Sequence, residues 1–389
     1  VIGRRGPNGF LAGLLAGALV ALAALGLVRE WRGDDLEELS LTDQAREVIE
    51  ANYFEDVEAE ELERASVDGM VERLRREYRD RYSHYFDPEE LERFQQATSG
   101  EFSGVGLTVT EVPRGLRVAG VFPDTPAERA DLRPGDVIVA VDGESIAGTS
   151  SEVATARIKG PAGTKVTLRV LPHGDGKPRE LTLERARVRI PAANGVMLRR
   201  GGTRLAYVVY STFSRGSHGE LREEIERLRR RGAEGLILDL RGNGGGLLNE
   251  AVLSASLFVK EGTIVITRSR SRGEQVYEAV GDALPQQPTV VLINRDTASS
   301  AEILASAMAE HDVAELVGTR TFGKFTFQEV IQLPAGGALD LTVGEYLTAS
   351  GASLANKGVR PDVRVADNPR TRRDEALATA VRELRAALR

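Results

Sequence analysis

The chain has 389 residues, a net charge of −7, 41% hydrophobic and 28% charged residues, and no cysteine. That length allows two or three domains with a buried core, and the composition is that of a globular protein. Without cysteine there are no disulfides, thiol nucleophiles or cysteine zinc sites, and arginines dispersed among acids form no basic stripe for a nucleic-acid partner.

Arg4 and Arg5 precede an uncharged, mostly apolar segment over residues 9–28, close to the length that crosses a bilayer as a helix. Positive charge before it and Asp34, Asp35, Glu37 and Glu38 after it predict a cytoplasmic amino terminus, with the rest outside. An uncleaved anchor is preferred to a removed signal peptide, although Ala21-Leu22-Ala23 fits a cleavage site. Residues 41–98 read as helices. Leu41-Thr42-Asp43 offers an N-cap, Val67, Met70, Val71 and Leu74 continue at helical spacing, and Asp87-Pro88-Glu89-Glu90 opens a third helix.

Over 99–187 the pattern changes to short strands punctuated by Gly and Pro, with one helix near Ser151 to Ile158. Residues 188–366 alternate strands and helices, which predicts an α/β core. The terminal stretch 367–389 carries Ala376, Leu377, Ala380, Val381 and Leu384 on one helical face.

Within the α/β part, Thr289 to Ile293 reads as a buried strand, Asn294 to Ala298 as a turn, and Ser299 as the mouth of a helix. A hydroxyl there has first-turn backbone amides beside it as oxyanion donors; an N-cap serine is the plainer reading. Twenty-five residues on, Lys324 precedes Gln328 by four. A desolvated lysine can replace histidine as the base that activates a serine. If 324–332 is a strand, Lys324, Thr326 and Gln328 share a face, and the Gln328 carbonyl can hold a neutral amine. A surface lysine on an edge strand is the alternative. None of the four histidines (His84, His173, His218, His311) falls in a triad or metal motif. A third element, Asp239-Leu240-Arg241-Gly242-Asn243-Gly244-Gly245-Gly246, follows an apolar strand, where α/β folds place their sites.

These three segments resemble the DLRxNPGG, SASASE and GTxTFGK signatures of the carboxyl-terminal processing (tail-specific, S41) proteases. Lys357-Gly358-Val359-Arg360-Pro361-Asp362 is similar to their closing G-x-x-P-D motif, and Tyr82-Ser83 to Asp87-Pro88 to a motif of their helical region. The likeness runs from about residue 41 to 366. It implies a ClpP/crotonase-like α/β protease core with an inserted PDZ-like domain, an amino-terminal helical region and a transmembrane helix. By the same resemblance Ser299 is the nucleophile, Lys324 the general base and Gln328 its orienting partner, with the backbone amides of Gly245 and Ser300 as oxyanion hole. The sequence departs from the family at Gly244, where a proline is usual, and at Ser300, which competes with Ser299 for the nucleophile's place.

The block 99–187 resembles a PDZ domain whose carboxylate loop is Gly104-Val105-Gly106-Leu107, so a substrate tail would add a strand to the sheet edge. Lys159, just past its helix, is read as a solvated charge, with domain communication as the bolder reading. The expectation is a membrane-anchored, extracytoplasmic (periplasmic or cell-surface) serine endopeptidase that takes apolar or unstructured C-termini. No metal or cofactor is implied; homo-oligomerisation and delivery by an adaptor stay open. The rival from another class is a catalytically silent PDZ scaffold.

Overall fold

The structure, a computed structural model, describes residues 39–99, 101–174, 177–368 and 373–389. The expected anchor at 9–28 lies outside them; among the described residues no helix is long and apolar enough to cross a membrane. The chain divides into two units, Val1–Tyr85 and Phe86–Arg389.

In the first unit, helix α1 (Leu41–Asn52) is capped one residue earlier than expected, by Ser40, whose Oγ accepts the Asp43 N–H at 3.3 Å. Helix α2 (Ala59–Tyr78) ends where Arg79 turns left-handed at φ 55°. An Arg46–Glu63 ion pair of 2.9 Å links the two helices.

The second unit opens with α3 (Pro88–Ser99), so the third expected helix lies beyond the division rather than with the first two. Its cap is reciprocal: Glu90 N–H donates to Asp87 Oδ1 at 2.7 Å, and Asp87 N–H to Glu90 Oε2 at 3.1 Å. Next comes a six-strand antiparallel sheet whose path runs β1 (Leu107–Val112), β2 (Gly115–Val121), β3 (Val137–Val141), β4 (Lys165–Leu171) and β5 (Arg179–Glu184), with the short strand Glu144–Ser145 paired to β3. Helix α4 (Ser151–Ile158) completes it. Alternation in β4 buries Val166, Leu168 and Val170 with Leu116, Ile138 and Ile146 in a core separate from the rest of the unit. A ribbon of Glu101–Gly104 with Ala186–Arg189 joins the two ends of this block.

The remaining chain runs β6 (Ala193–Arg200), β7 (Thr203–Tyr210), α5 (Ser217–Arg230), β8 (Gly235–Asp239), α6 (Leu248–Ser256), β9 (Thr263–Ser269) and β10 (Gly273–Glu278). It continues through β11 (Thr289–Ile293), α7 (Ser300–Glu310), β12 (Glu315–Gly318), β13 (Thr326–Gln332), β14 (Ala338–Leu347), β15 (Val363–Arg364) and α8 (Glu375–Ala387). The main sheet is ordered β6-β7-β8-β11-β12-β15; β6 and β7 form a hairpin and every later neighbour is parallel. β8 and β11 are buried along their whole length, as central parallel strands covered on both faces must be. Helices α5, α6 and α7 pack against one face. On the other, Ala376, Ala380 and Leu384 of α8 meet Leu205, Ile237, Val290, Leu292 and Val317. A second, antiparallel sheet contains β10-β9-β14-β13.

Candidate active site

Strands β8, β11 and β12 are parallel neighbours, so their carboxyl ends, and the loops that leave them, lie on one edge. Those loops carry the three motifs, and they are tied to one another by buried polar groups. Thr297 Oγ1 donates to the Leu240 carbonyl at 2.8 Å, and Asn294 Oδ1 accepts the Gly242 N–H at 3.1 Å. Asn243, fully buried, donates from Nδ2 to the Tyr210 carbonyl at 2.7 Å, and its own carbonyl accepts the Ala298 N–H at 2.9 Å. Phe322 N–H reaches the Thr297 carbonyl at 3.0 Å and so adds the lysine loop.

Gly245 has to be glycine. At φ 98° a Cβ would sit 2.8 Å from Ser299 Cβ and 2.9 Å from both the Ala298 carbonyl oxygen and the Ser300 nitrogen. The loop therefore lies against the serine, as an oxyanion hole requires. Its amide, however, donates to Asn243 Oδ1 at 2.8 Å, so that bond has to be exchanged before Gly245 faces an oxyanion. Gly244, the departure from the family pattern, has nothing within 4 Å of a Cβ built there; the loop is fastened through Asn243 instead.

Ser299 occupies the N-cap position of α7 with φ 56° and ψ −122°, a backbone conformation that costs a non-glycine residue about 1–3 kcal/mol and is retained where the surroundings fix it. Here the fixing group is Glu302. Its carboxylate, with no exposed surface, accepts the Ser299 N–H at 2.9 Å and, from the lysine loop, the Gly323 N–H at 2.7 Å, the Lys324 N–H at 2.9 Å and the Thr321 hydroxyl. Burial pushes this carboxyl upward and the four donors pull against it. One carboxylate thus holds the serine turn and the lysine loop in register. Glu302 was not among the expected site residues; the Ser299-x-x-Glu302 spacing, a capping-box pattern, is the sequence signal for it.

From its other side the lysine loop is gripped by the G-x-x-P-D segment. Thr321 N–H donates to the Val359 carbonyl at 3.1 Å, and Val359 N–H to Thr321 Oγ1 at 2.7 Å. Arg241, also unassigned by sequence, bonds to Asp239 and to Asp374, the N-cap of α8, with distances of 2.7 to 2.9 Å for the shortest contacts. It fastens the glycine loop to the terminal helix.

A cavity of about 630 Å³ brings Gly245, Ser299, Lys324 and Gln328 together. Burial pushes the Lys324 amine below the usual lysine range, against the pull of the nearby Asp340 carboxylate. Ser300 has a different place: it is fully buried and its hydroxyl donates to the Gly246 carbonyl at 2.8 Å. The expected strand from 324 begins only at Thr326, and a register shift between Phe327 and Gln328 breaks the strict alternation. Gln328 still faces the cavity, its Nε2 donating to Thr342 Oγ1 at 3.0 Å.

A second groove, of about 410 Å³, lies between β1 and α4. It is lined by Gly104, Val105, Gly106 and Leu107 with Ile158 and Lys159. The carbonyls of Val105 and Gly106 accept from Ala127 and Phe122 at 2.8 and 3.0 Å, so the N–H groups of Gly106 and Leu107, trans to them, point the opposite way. β1 pairs within its sheet with β2 alone, which leaves an edge for strand addition.

Models of three families match the chain: Peptidase family S41 at 204–365, PDZ domain at 117–172, and Activating protease CtpB N-terminal domain at 25–90. A carboxyl-terminal-processing protease of Synechocystis is 37% identical over 72% of this chain and 66% of its own length. The carboxy-terminal processing protease CtpA of Bacillus subtilis is 33% identical over 82% of this chain and 67% of its own, so the chain spans about two thirds of these relatives. For a carboxy-terminal-processing protease of Bartonella bacilliformis the figures are 32%, 92% and 81%. Among solved structures, the photosystem II D1 C-terminal processing protease aligns with a TM-score of 0.50 and 28% identity over 87% of this chain and 96% of that one. With its ordered motifs on one edge of an α/β sheet and a PDZ domain before them, the chain belongs to the carboxyl-terminal processing proteases of peptidase family S41.

Proposed function

We propose that this protein is a serine endopeptidase that cleaves other proteins near their C-termini through a Ser299–Lys324 dyad on a ClpP/crotonase-like core. Neutral Lys324 takes the proton of Ser299 Oγ as that oxygen attacks the scissile carbonyl. The oxyanion is met by the Ser300 N–H and by the Gly245 N–H once it leaves Asn243. Lys324 then gives its proton to the departing amine, leaving an acyl ester on Ser299. Water attacks the ester and loses a proton to Lys324; the proton returns to Ser299 Oγ as the acid is released. Gln328 orients the amine.

The PDZ groove takes the free carboxylate of an apolar or unstructured tail on the amides after Gly104, with the tail's backbone along β1. Segment 9–28 tethers the enzyme to the cytoplasmic membrane with its catalytic part outside, in the periplasm or at the cell surface. Dimerisation and an adaptor fit this reading without being required by it.

The observation that carries the proposal is one cavity lined by a serine on a strained turn and by a lysine whose amine burial drives toward neutrality. A silent scaffold has no use for that strain. Incubating the protein with tagged peptides and reading products by mass spectrometry tests it. Cleavage by the parent, none by Ser299→Ala, and fluorophosphonate labelling at Ser299 are expected; full turnover by Ser299→Ala rules the mechanism out.

A further inference from the structure

Asp340 is a carboxylate with 7% of its surface exposed, set in the wall of the cavity that holds Ser299 and Lys324. It stands on β14 opposite Val330 of β13, two residues along from Thr342, which stands opposite Gln328. Residues two apart on a strand share a face. Asp340 is therefore the diagonal neighbour of Gln328 on the face that carries the Gln328–Thr342 hydrogen bond. Lys324 enters this wall two residues before β13 begins.

The other titratable groups around the amine are differently engaged. Glu329 is ion-paired with Arg272 at 2.9 Å. Glu302 accepts the Lys324 backbone N–H. Tyr277 and Tyr346 supply phenols, the latter kept protonated by burial. Asp340 is the carboxylate whose charge acts on the amine from the wall. A negative charge beside a half-buried amine favours the ammonium, the form that can accept no proton.

We propose that Asp340 is a positioning residue that governs when Lys324 becomes a base: it pairs with the ammonium across the cavity wall and so sets the pH at which the dyad switches on. This rests on the Ser299–Lys324 reading above. Asp340 is in none of the motifs that carry the family resemblance, and only the register of β13 on β14 brings it to the site.

The test is the pH dependence of kcat/KM for the full chain on one tagged peptide, comparing the parent with Asp340→Asn and Asp340→Glu. Asp340→Asn should move the acid limb downward by about one pH unit, a gain of about tenfold on that limb, while Asp340→Glu, which keeps the charge, should leave the limb close to the parent's. An Asp340→Asn limb that overlies the parent's overturns the proposal. Ser299→Ala, run alongside, separates the two readings. If it turns substrate over, the dyad itself fails; if it is inert and the Asp340→Asn limb has not moved, only the role of Asp340 fails. Thermal melts check folding with Asp340→Ser as a second neutral variant. Failure of both neutral variants to fold also overturns the proposal, since Asp340 would then serve the scaffold.

Discussion

The catalytic edge and the PDZ groove solve opposite problems. At the catalytic edge Asn243, Thr297 and Glu302 are buried and spend their hydrogen bonds joining one loop to another. In the groove the carboxylate loop is held through its carbonyls, and the strand edge waits for a partner's backbone. The proposed acyl transfer needs its groups positioned to a fraction of an ångström, which fits loops fastened to one another before substrate arrives. Reading a chain end needs backbone donors that any tail can use. The difference predicts that damage at the catalytic edge lowers kcat, while damage in the groove raises KM.

Steady-state kinetics on one tailed peptide can break or sharpen that division. Ser299→Ala should cost the most, about 10⁴-fold or more in kcat, since dyad members act as a unit. Gly245→Ala, which forces a Cβ onto Ser299 and Ser300, should cost about 10²–10³-fold in kcat, the range for a lost oxyanion donor. Glu302→Gln replaces one acceptor oxygen by an NH2 group, which cannot accept the N–H bond or bonds made to that oxygen; a loss of about 10²-fold in kcat is expected from the misplaced serine. A kcat near the parent's would show that the turn holds without its clamp. Capping the peptide's C-terminal carboxylate as an amide should raise KM about tenfold, the scale of a lost charge-assisted hydrogen bond, with kcat little changed. A fall in kcat with KM constant would place recognition elsewhere.

The pH profile has a definite sign. In the proposed mechanism Lys324 works as the neutral amine, and burial outweighs Asp340 to lower its proton affinity. Activity should therefore rise with pH across an acid limb centred below the ordinary lysine value of about 10.4. A rate that falls steadily from neutrality upward would contradict a lysine base.

Local signals were legible where a residue acts within its own element. Asp87 and Glu90 cap α3 as their spacing predicts, and the apolar runs at 235–239 and 289–293 became the central parallel strands. The three motifs of the candidate site come together because their loops leave neighbouring strand ends. What sequence did not disclose depends on long-range registration. Glu302 looks like an ordinary cap until the lysine loop is laid across it. The Gly245–Asn243 hydrogen bond depends on a loop conformation that glycine runs leave open. The register shift at Phe327/Gln328 defeats a period of two, and Asp340 reaches the site only because β14 folds back on β13. Even Ser40 for Leu41-Thr42-Asp43 is a one-residue matter that cap geometry decides.

The protonation of the Lys324 amine decides the account most directly. Nitrogen-15 NMR of lysine-labelled Ser299→Ala protein, assigned with Lys324→Arg, would follow that titration without turnover. An amine that loses its proton below the range of the other lysines is the predicted result; one that titrates with them or above them would contradict it.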